Sequence, residues 1–194
     1  ETTQFKNLSL IEKETKRCKT IIDNLLKFSR QEKVAFDMID VNRVALDTIA
    51  IINHQLGINQ IKLLQELAPE LPPVYGNANQ IQQVFLNLMI NAQQAMDGNP
   101  GKVSLTTACL DSVNVQIQII DNGPGIAEEH QAKIFEPFYT TKTSDKGTGL
   151  GLSIVKHACA SLGGSVGLES TPGKGSTFRV SLPLAQTRGA VSGS

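Results

Sequence analysis

Two asparagines, one aspartate and two glycine clusters around a pair of lysines are the residues of this chain best placed to do chemistry. Asn87 and Asn91 stand i, i+4 in a stretch whose apolar residues repeat at helical spacing. They therefore lie one above the other at the border of an apolar stripe. Asparagine is a mediocre helix former, so two stacked there ask for a reason. Carboxamide oxygens are hard ligands that suit Mg2+, an ion that keeps several waters and takes few protein ligands. Two ordinary border amides would give the same pattern.

Asp121 opens the run Asp121-Asn122-Gly123-Pro124-Gly125, just after the alternating Val113, Val115, Ile117 and Ile119. It shares their parity and is expected on the covered face of a strand, where a carboxylate is costly without a partner. A ligand amino group is one candidate partner, and an N–H of the glycine loop is the other. Further on, Gly147-Thr148-Gly149-Leu150-Gly151 leads into another apolar-periodic stretch. Glycine permits positive φ and close approach of backbone to a ligand. A helix starting just after it offers N–H groups and a positive dipole end to phosphate. Between the two clusters, residues 140–149 are polar, lack an apolar period and carry Lys142 and Lys146. That segment reads as a lid. Its lysines either reach phosphates or are simply solvated.

These groups need elements to position them. Residues 1–33 read as one helix, with Phe5, Leu8, Ile11, Cys18, Ile21, Ile22, Leu25 and Phe28 recurring at threes, fours and sevens. The sevens are those of a coiled coil or bundle. Such a stripe needs a partner helix, from a second chain or from upstream sequence, unless it docks on the domain that follows. The pattern breaks near 31–37. Phe36, Met38 and Ile39 suggest a short strand, and Asp40 an N-cap for a helix over 41–55 that Gly57 and Asn59 end. Ile61, Leu63 and Leu67 alternate as a strand stopped by Pro69, Pro72 and Pro73. A helix over 77–97 carries Ile81, Val84, Phe85, Leu88, Ala92, Ala95 and Met96 on one stripe. Val103, Leu105 and Thr107 pair with the 113–119 run as a hairpin. A short helix over 127–134 and a helix over 150–162 follow, then strands around Val166 and Leu168 and around Phe178, Val180 and Leu182. Helices covering one face of a mixed sheet make a two-layer α/β sandwich. The expected units are 1–33, 34–185 and a disordered tail over 186–194.

Composition narrows the classes. The 194 residues suffice for one good core or for a domain with an appendage. Formal net charge is zero, which removes a bulk-field argument for nucleic acid or anionic membrane. No apolar run approaches the roughly 20 residues of a membrane helix, and no signal-peptide pattern opens the chain. It starts at Glu1 without Met and reads as a piece of something longer. Cys18, Cys109 and Cys159 lack metal spacing and read as buried, reduced thiols of a reducing compartment. Neither a P-loop nor a dinucleotide fingerprint occurs.

Five motifs in order carry a family resemblance: Asn87-x-x-x-Asn91-Ala92, Asp121-x-Gly123-x-Gly125, Phe135-x-Pro137-Phe138, Gly147-Thr148-Gly149-Leu150-Gly151-Leu152 and Gly173-x-Gly175-Ser176-Thr177-Phe178. They resemble the N, first-glycine, F, second-glycine and third-glycine boxes of sensor histidine kinases, whose ATP-binding Bergerat fold is shared with gyrase and a heat-shock chaperone. The match covers about residues 35–184, and Phe138-Tyr139-Thr140-Thr141-Lys142 is similar to the nitrogen-regulatory type. Residues 1–33 resemble the second helix of the dimerisation and phosphotransfer hairpin.

The resemblance implies ATP or ADP with Mg2+ as ligands, in a cytoplasmic module whose parent is free or membrane-anchored. Asp121 would accept from the adenine amino group, Gly125 would let the base approach, and Thr177 would assist at the adenine through water. Asn91 would hold Mg2+, with Asn87 beside the metal–phosphate cluster. Gly147, Gly149 and Gly151 would pass the lid around the phosphates, and Lys142 would touch them. The same carry-over adds Gly123, Ile126 and Phe138, and Thr140, Thr141 and Lys146 of the lid, to the nucleotide-binding residues. Thr148, Leu150 and Leu152 would stand at the phosphate end. Implied partners are a phosphoacceptor-histidine helix of the same or a second protomer, a response regulator, and a second copy through the N-terminal helix.

One departure matters. The family's acceptor histidine sits on the first hairpin helix, followed by an acidic residue and then proline. His54, His130 and His157 are in no such context, so the acceptor is expected outside this chain. A gyrase- or chaperone-type hydrolase would need a carboxylate base where Asn87 stands. A non-catalytic, nucleotide-sensing dimerisation module is the remaining alternative.

Overall fold

Asp40 accepts a hydrogen bond from the Arg43 N–H at 3.1 Å and caps helix α1, Val41–Ile58. Asn77 does the same for α2, Ala78–Ala95, from the Gln80 N–H at 3.0 Å. Each cap satisfies a donor that the first turn cannot bond internally. In the computed structural model the described residues are 36–142 and 147–185, preceded by Phe5, Asn7, Leu8, Ile11, Glu12 and Thr15. The chain divides into Glu1–Val34 and Ala35–Ser194. The described positions of the first unit are helical. Most of the expected 1–33 helix, Cys18, Lys146 and the 186–194 tail lie outside the described residues.

Five strands form the main sheet, in the order β2-β4-β5-β7-β6. They are β2 (Ile61–Leu67), β4 (Gly101–Cys109), β5 (Asn114–Asp121), β6 (Ser165–Thr171) and β7 (Gly175–Pro183). β2 and β4 run parallel, and the other pairs are antiparallel. β5 is buried at every second residue, Val115, Ile117, Ile119 and Asp121, so one sheet face is covered. The cover is α1, α2 and α4 (Gly151–Ser161), with α2 packed between the other two. Phe85, Leu88 and Met89 of α2 are fully buried there, each contributing about 1.5–3 kcal/mol of burial. The two-layer sandwich expected from the pattern is the observed architecture.

Four local differences have physical reasons. Gly57 does not end α1, which runs on to Ile58 because Asn59 caps it and Gln60 takes the left-handed turn at φ 55°. A glycine in a last turn costs only about 1 kcal/mol, so it need not be the stop. The expected short helix shrinks to α3, Glu128–Gln131, after which non-helical turns carry Ile134 into the core. A strand β3, Val74–Gly76, went unread behind the prolines; it pairs antiparallel with β1, Asp37–Ile39. Its three residues are too few to show alternation. Cys159 is buried as expected, but Cys109 is exposed at the last position of β4, past the covered face.

A closed polar triangle ties α1 to the sheet. Thr107, 5% exposed, donates to Asn42 Oδ1 at 2.8 Å and accepts from the Ala68 N–H at 3.0 Å. Asn42 Nδ2 donates to the Ala68 carbonyl at 2.7 Å. Replacing the hydroxyl by a methyl of the same shape strands a donor and an acceptor. Thr107→Val should lower unfolding free energy by about 1–3 kcal/mol, read from urea titration followed by circular dichroism.

Candidate nucleotide site

The site gathers at one end of the sheet, where β5 finishes in Asp121. Its Oδ1 accepts from the Gly123 N–H at 2.9 Å. A Cβ on Gly123 would lie 2.9 Å from that same oxygen, so the bond needs glycine. The loop N–H is thus a real partner, but it does not settle the carboxylate. Burial raises the Asp121 pKa above its ordinary 3.8, and the Gly123 and Ser176 N–H groups and the Lys142 charge only partly oppose it. A carboxylate has about four acceptor sites, so room for a further donor remains.

The glycine loop is fastened from behind. Gly125 sits at φ 71°, and a Cβ there would be 2.2 Å from the Thr171 carbonyl. Its closest neighbour in this structure is therefore the β6–β7 loop rather than open space. Gly175, at φ 95°, would put a Cβ 2.0 Å from the Asp121 carbonyl. Ile126 N–H donates to Ser170 Oγ at 2.8 Å, and Ser170 Oγ donates to the Gly175 carbonyl at 3.0 Å. Asn122 faces away and bonds the backbone of Lys102 at the start of β4.

The register moves one expected residue. Asp121 pairs with Ser176, so these two side chains share the covered face. Thr177 pairs with Ile120 and points to the other face. The hydroxyl beside Asp121 is Ser176, 6% exposed, not Thr177. Counting back by two from the buried Phe178 would have found it.

A narrow neck closes the base of the lid. Phe138 is exposed and adopts φ 66°, unusual for a bulky residue. Gly149, at φ 69°, would place a Cβ 2.4 Å from the Phe138 carbonyl carbon. Gly147 packs on Thr140, whose Oγ1 would be 2.8 Å from a Cβ there. Behind the neck, Phe135 stacks edge-on against Phe178 at 6.4 Å, and His130 Nδ1 lies 2.7 Å from Tyr139 Oη. Thr141 is exposed. The two lid ends are thus held together by backbone contact that only glycine allows.

Past the neck, α4 begins at Gly151 with Leu150 at its N-cap position and no capping side chain. Its first turn therefore keeps donors for a ligand. Leu150 is buried and Leu152 packs against the core, so their side chains are structural. A Cβ on Gly151 would lie 3.7 Å from Asn87 Oδ1, which puts Asn87 beside this helix start. Asn87 Nδ2 is buried without a hydrogen-bond partner among the described residues. Lys142 N–H donates to Thr140 Oγ1 at 3.1 Å, while its Nζ donates to Asn91 Oδ1 at 2.9 Å and to Gln94 Oε1 at 3.0 Å. Burial pulls the Lys142 pKa down to about 8, and the Asp121 charge partly restores it. Gln94 went unread, although it continues Asn87 and Asn91 at i+7 on one helix face.

A mixed five-stranded sheet covered by helices on one face, with glycine loops gathered at one end, is the Bergerat architecture of ATP-binding domains. Residues 76–186 match the family model described as Histidine kinase-, DNA gyrase B-, and HSP90-like ATPase. The chain belongs to that family. Among curated relatives it is 34% identical over 179 residues to sporulation kinase E of Bacillus subtilis (strain 168), covering 92% of this chain and 24% of that one. It is 34% identical over 197 residues to the sensory histidine kinase/phosphatase NtrB of Rhizobium meliloti (strain 1021), covering 91% and 49%. The chain thus spans from a quarter to a half of the length of these two relatives. The solved catalytic domain of histidine kinase ThkA aligns with TM-score 0.69 and 30% identity over 78% of this chain and 99% of that one. ThkA solved in complex with response regulator protein TrrA aligns with TM-score 0.74 and 26% identity, covering 96% and 53%. The domain is therefore of the histidine-kinase ATPase kind that the five motifs resembled.

The strained charge at Asp121 can be read without ligand. A carboxyl whose folded pKa is raised supplies stability only while protonated, below its unfolded value of 3.8, and loses it as pH climbs through the folded value. At neutral pH the charged Asp121 therefore costs stability. Asp121→Asn keeps an acceptor for Gly123 and should raise the ligand-free Tm by a few degrees at about pH 7. The gap should narrow toward about pH 4, as followed by scanning calorimetry across pH.

Proposed function

We propose that this chain is the ATP- and Mg2+-binding catalytic module of a sensor histidine kinase. It donates the γ-phosphoryl group to a histidine outside the chain, for relay to a response-regulator aspartate. The observation that supports this best is electrostatic. A buried, under-compensated carboxylate and a half-buried ammonium on Asn91 sense each other across the end of the sheet. One end suits a base that donates hydrogen bonds, and the other suits phosphates with a cation.

The residues fit Mg2+. Asn91 Oδ1 already holds a positive charge, and the orphaned Asn87 Nδ2 is a donor suited to a phosphate oxygen. Among the described residues no three His, Cys, Asp or Glu side chains cluster as a metal cage. Asn91, with Asn87 beside it, would hold the ion together with phosphate oxygens and waters. Bound there, Mg2+ would supply neutralisation of charge on the transferring phosphoryl group.

The chain's own part is positioning. Asp121 accepts from the adenine amino group, with Gly123 and Ser176 N–H groups fixing the carboxylate. Gly125 and Ile126 hold the loop beneath the base. Gly147, Gly149 and Gly151 lead the lid round the phosphates, and N–H groups at the start of α4 meet them. Lys142 and Thr140 follow from the lid base. The acceptor imidazole then attacks phosphorus in line, forming N–P as the P–O bond to ADP breaks. Asn87 supplies no base for water, which disfavours steady hydrolysis.

The acceptor helix belongs to the same or a second protomer, and residues 1–33 join two copies in the intact protein. Nucleic acid has no role. Among the described residues no helix is long and apolar enough to cross a membrane. The module is cytoplasmic, in a parent that is free or membrane-anchored.

Loss of the adenine contact should weaken a non-hydrolysable ATP analogue by about 10- to 100-fold in Asp121→Asn. Equal affinity by titration calorimetry would remove the adenine assignment. The kinase reading is tested by adding a separately expressed acceptor-histidine helix and following labelled γ-phosphate. Transfer to that helix, abolished by Asn91→Ala, is expected. ATP turnover without acceptor would favour the hydrolase, and neither activity would favour the sensing module.

A further inference from the structure

Asn87, Asn91 and Gln94 stand i, i+4, i+7 along one face of α2. The first two have places in the ATP reading, and Gln94 has none. It is exposed, yet its Oε1 accepts from Lys142 Nζ at 3.0 Å while Asn91 Oδ1 accepts from the same nitrogen at 2.9 Å. An ammonium between two carboxamide oxygens is a cation between hard oxygen donors. That is the environment Asn91 would offer a divalent ion. The two positive centres exclude each other, because like charges that close repel strongly outside bulk water.

We infer that Lys142 is a resident counter-ion, held by Gln94 at the position a nucleotide-borne metal ion takes, and that metal–nucleotide binding displaces it. The inference rests on the ATP–Mg2+ reading and deepens it. Gln94 is then a positioning residue that acts through Lys142, and it opposes the metal-loaded form. The lysine can leave without unfastening the lid base. Its backbone N–H stays on Thr140 Oγ1 while the long side chain swings from Asn91 toward the phosphates. The ligand-free site thereby keeps a charge partner for Asp121 and avoids a naked carboxamide pocket.

This reverses the sign expected of a binding residue. Removing the Gln94 carboxamide should favour metal-loaded nucleotide over metal-free nucleotide. The test is calorimetric titration of the whole 194-residue chain with a non-hydrolysable ATP analogue, in excess Mg2+ and in chelator. In Gln94→Leu the ratio of metal-free to metal-loaded Kd should rise roughly three- to tenfold. In a Lys142→Met background the same change should leave the ratio where it was, since Gln94 then has nothing to hold. A ratio unmoved or lowered by Gln94→Leu overturns the inference, as does an equal rise in both backgrounds. If the unaltered chain binds no analogue in either condition, the ATP reading fails and the inference with it. If it binds and the ratio does not respond, only the counter-ion role fails.

Discussion

A carboxylate at the covered end of a strand is the constraint on which the site depends. Asp121 continues the buried row of Val115, Ile117 and Ile119, so the chain must drive a charge into the edge of its own core. Burying an ion without partners costs far more than one contact returns. The surrounding residues read as a response to that cost. Gly123 lacks a side chain so that its N–H can reach Asp121, and Gly175 lacks one so that β7 can close on the Asp121 carbonyl. Compensation nevertheless stays incomplete, and the pKa remains raised. A fully satisfied carboxylate would make a more stable domain.

The second charge is managed in a different way. Lys142 is partly buried in a segment with no apolar anchor of its own, and it borrows two carboxamides from α2. The described ends of the 140–149 segment meet closely: Gly149 against Phe138, Gly147 against Thr140. These contacts fix Phe138 and Thr140 against the start of the segment that leads into α4. The left-handed conformation of Phe138 is a local cost at the point where Gly149 packs on its backbone.

Much of this was legible before any coordinates. Long periodic stretches declared α1, α2 and α4 and the alternating strands, because burying one face repeats a pattern over many residues. Five spaced motifs declared the ATP-binding family. Asp121 was placed on the covered face by parity alone. Short or exceptional features were not readable. β3 has three residues, Gly57 looked like a stop and was not, and Cys109 lies one step past the covered face.

The sequence by itself therefore determined the fold class, the family and the residue types of the site, since each is written in local spacing. The tertiary structure decided which groups meet. Pairing Asp121 with Ser176 rather than Thr177 depends on the β5–β7 register, which no local pattern states. Bringing Lys142 onto Asn91 and Gln94 joins residues about fifty positions apart and depends on where the lid base docks on α2. Contacts of that kind arise from chain closure, and a one-residue change in the β5–β7 register would put Thr177 rather than Ser176 beside Asp121.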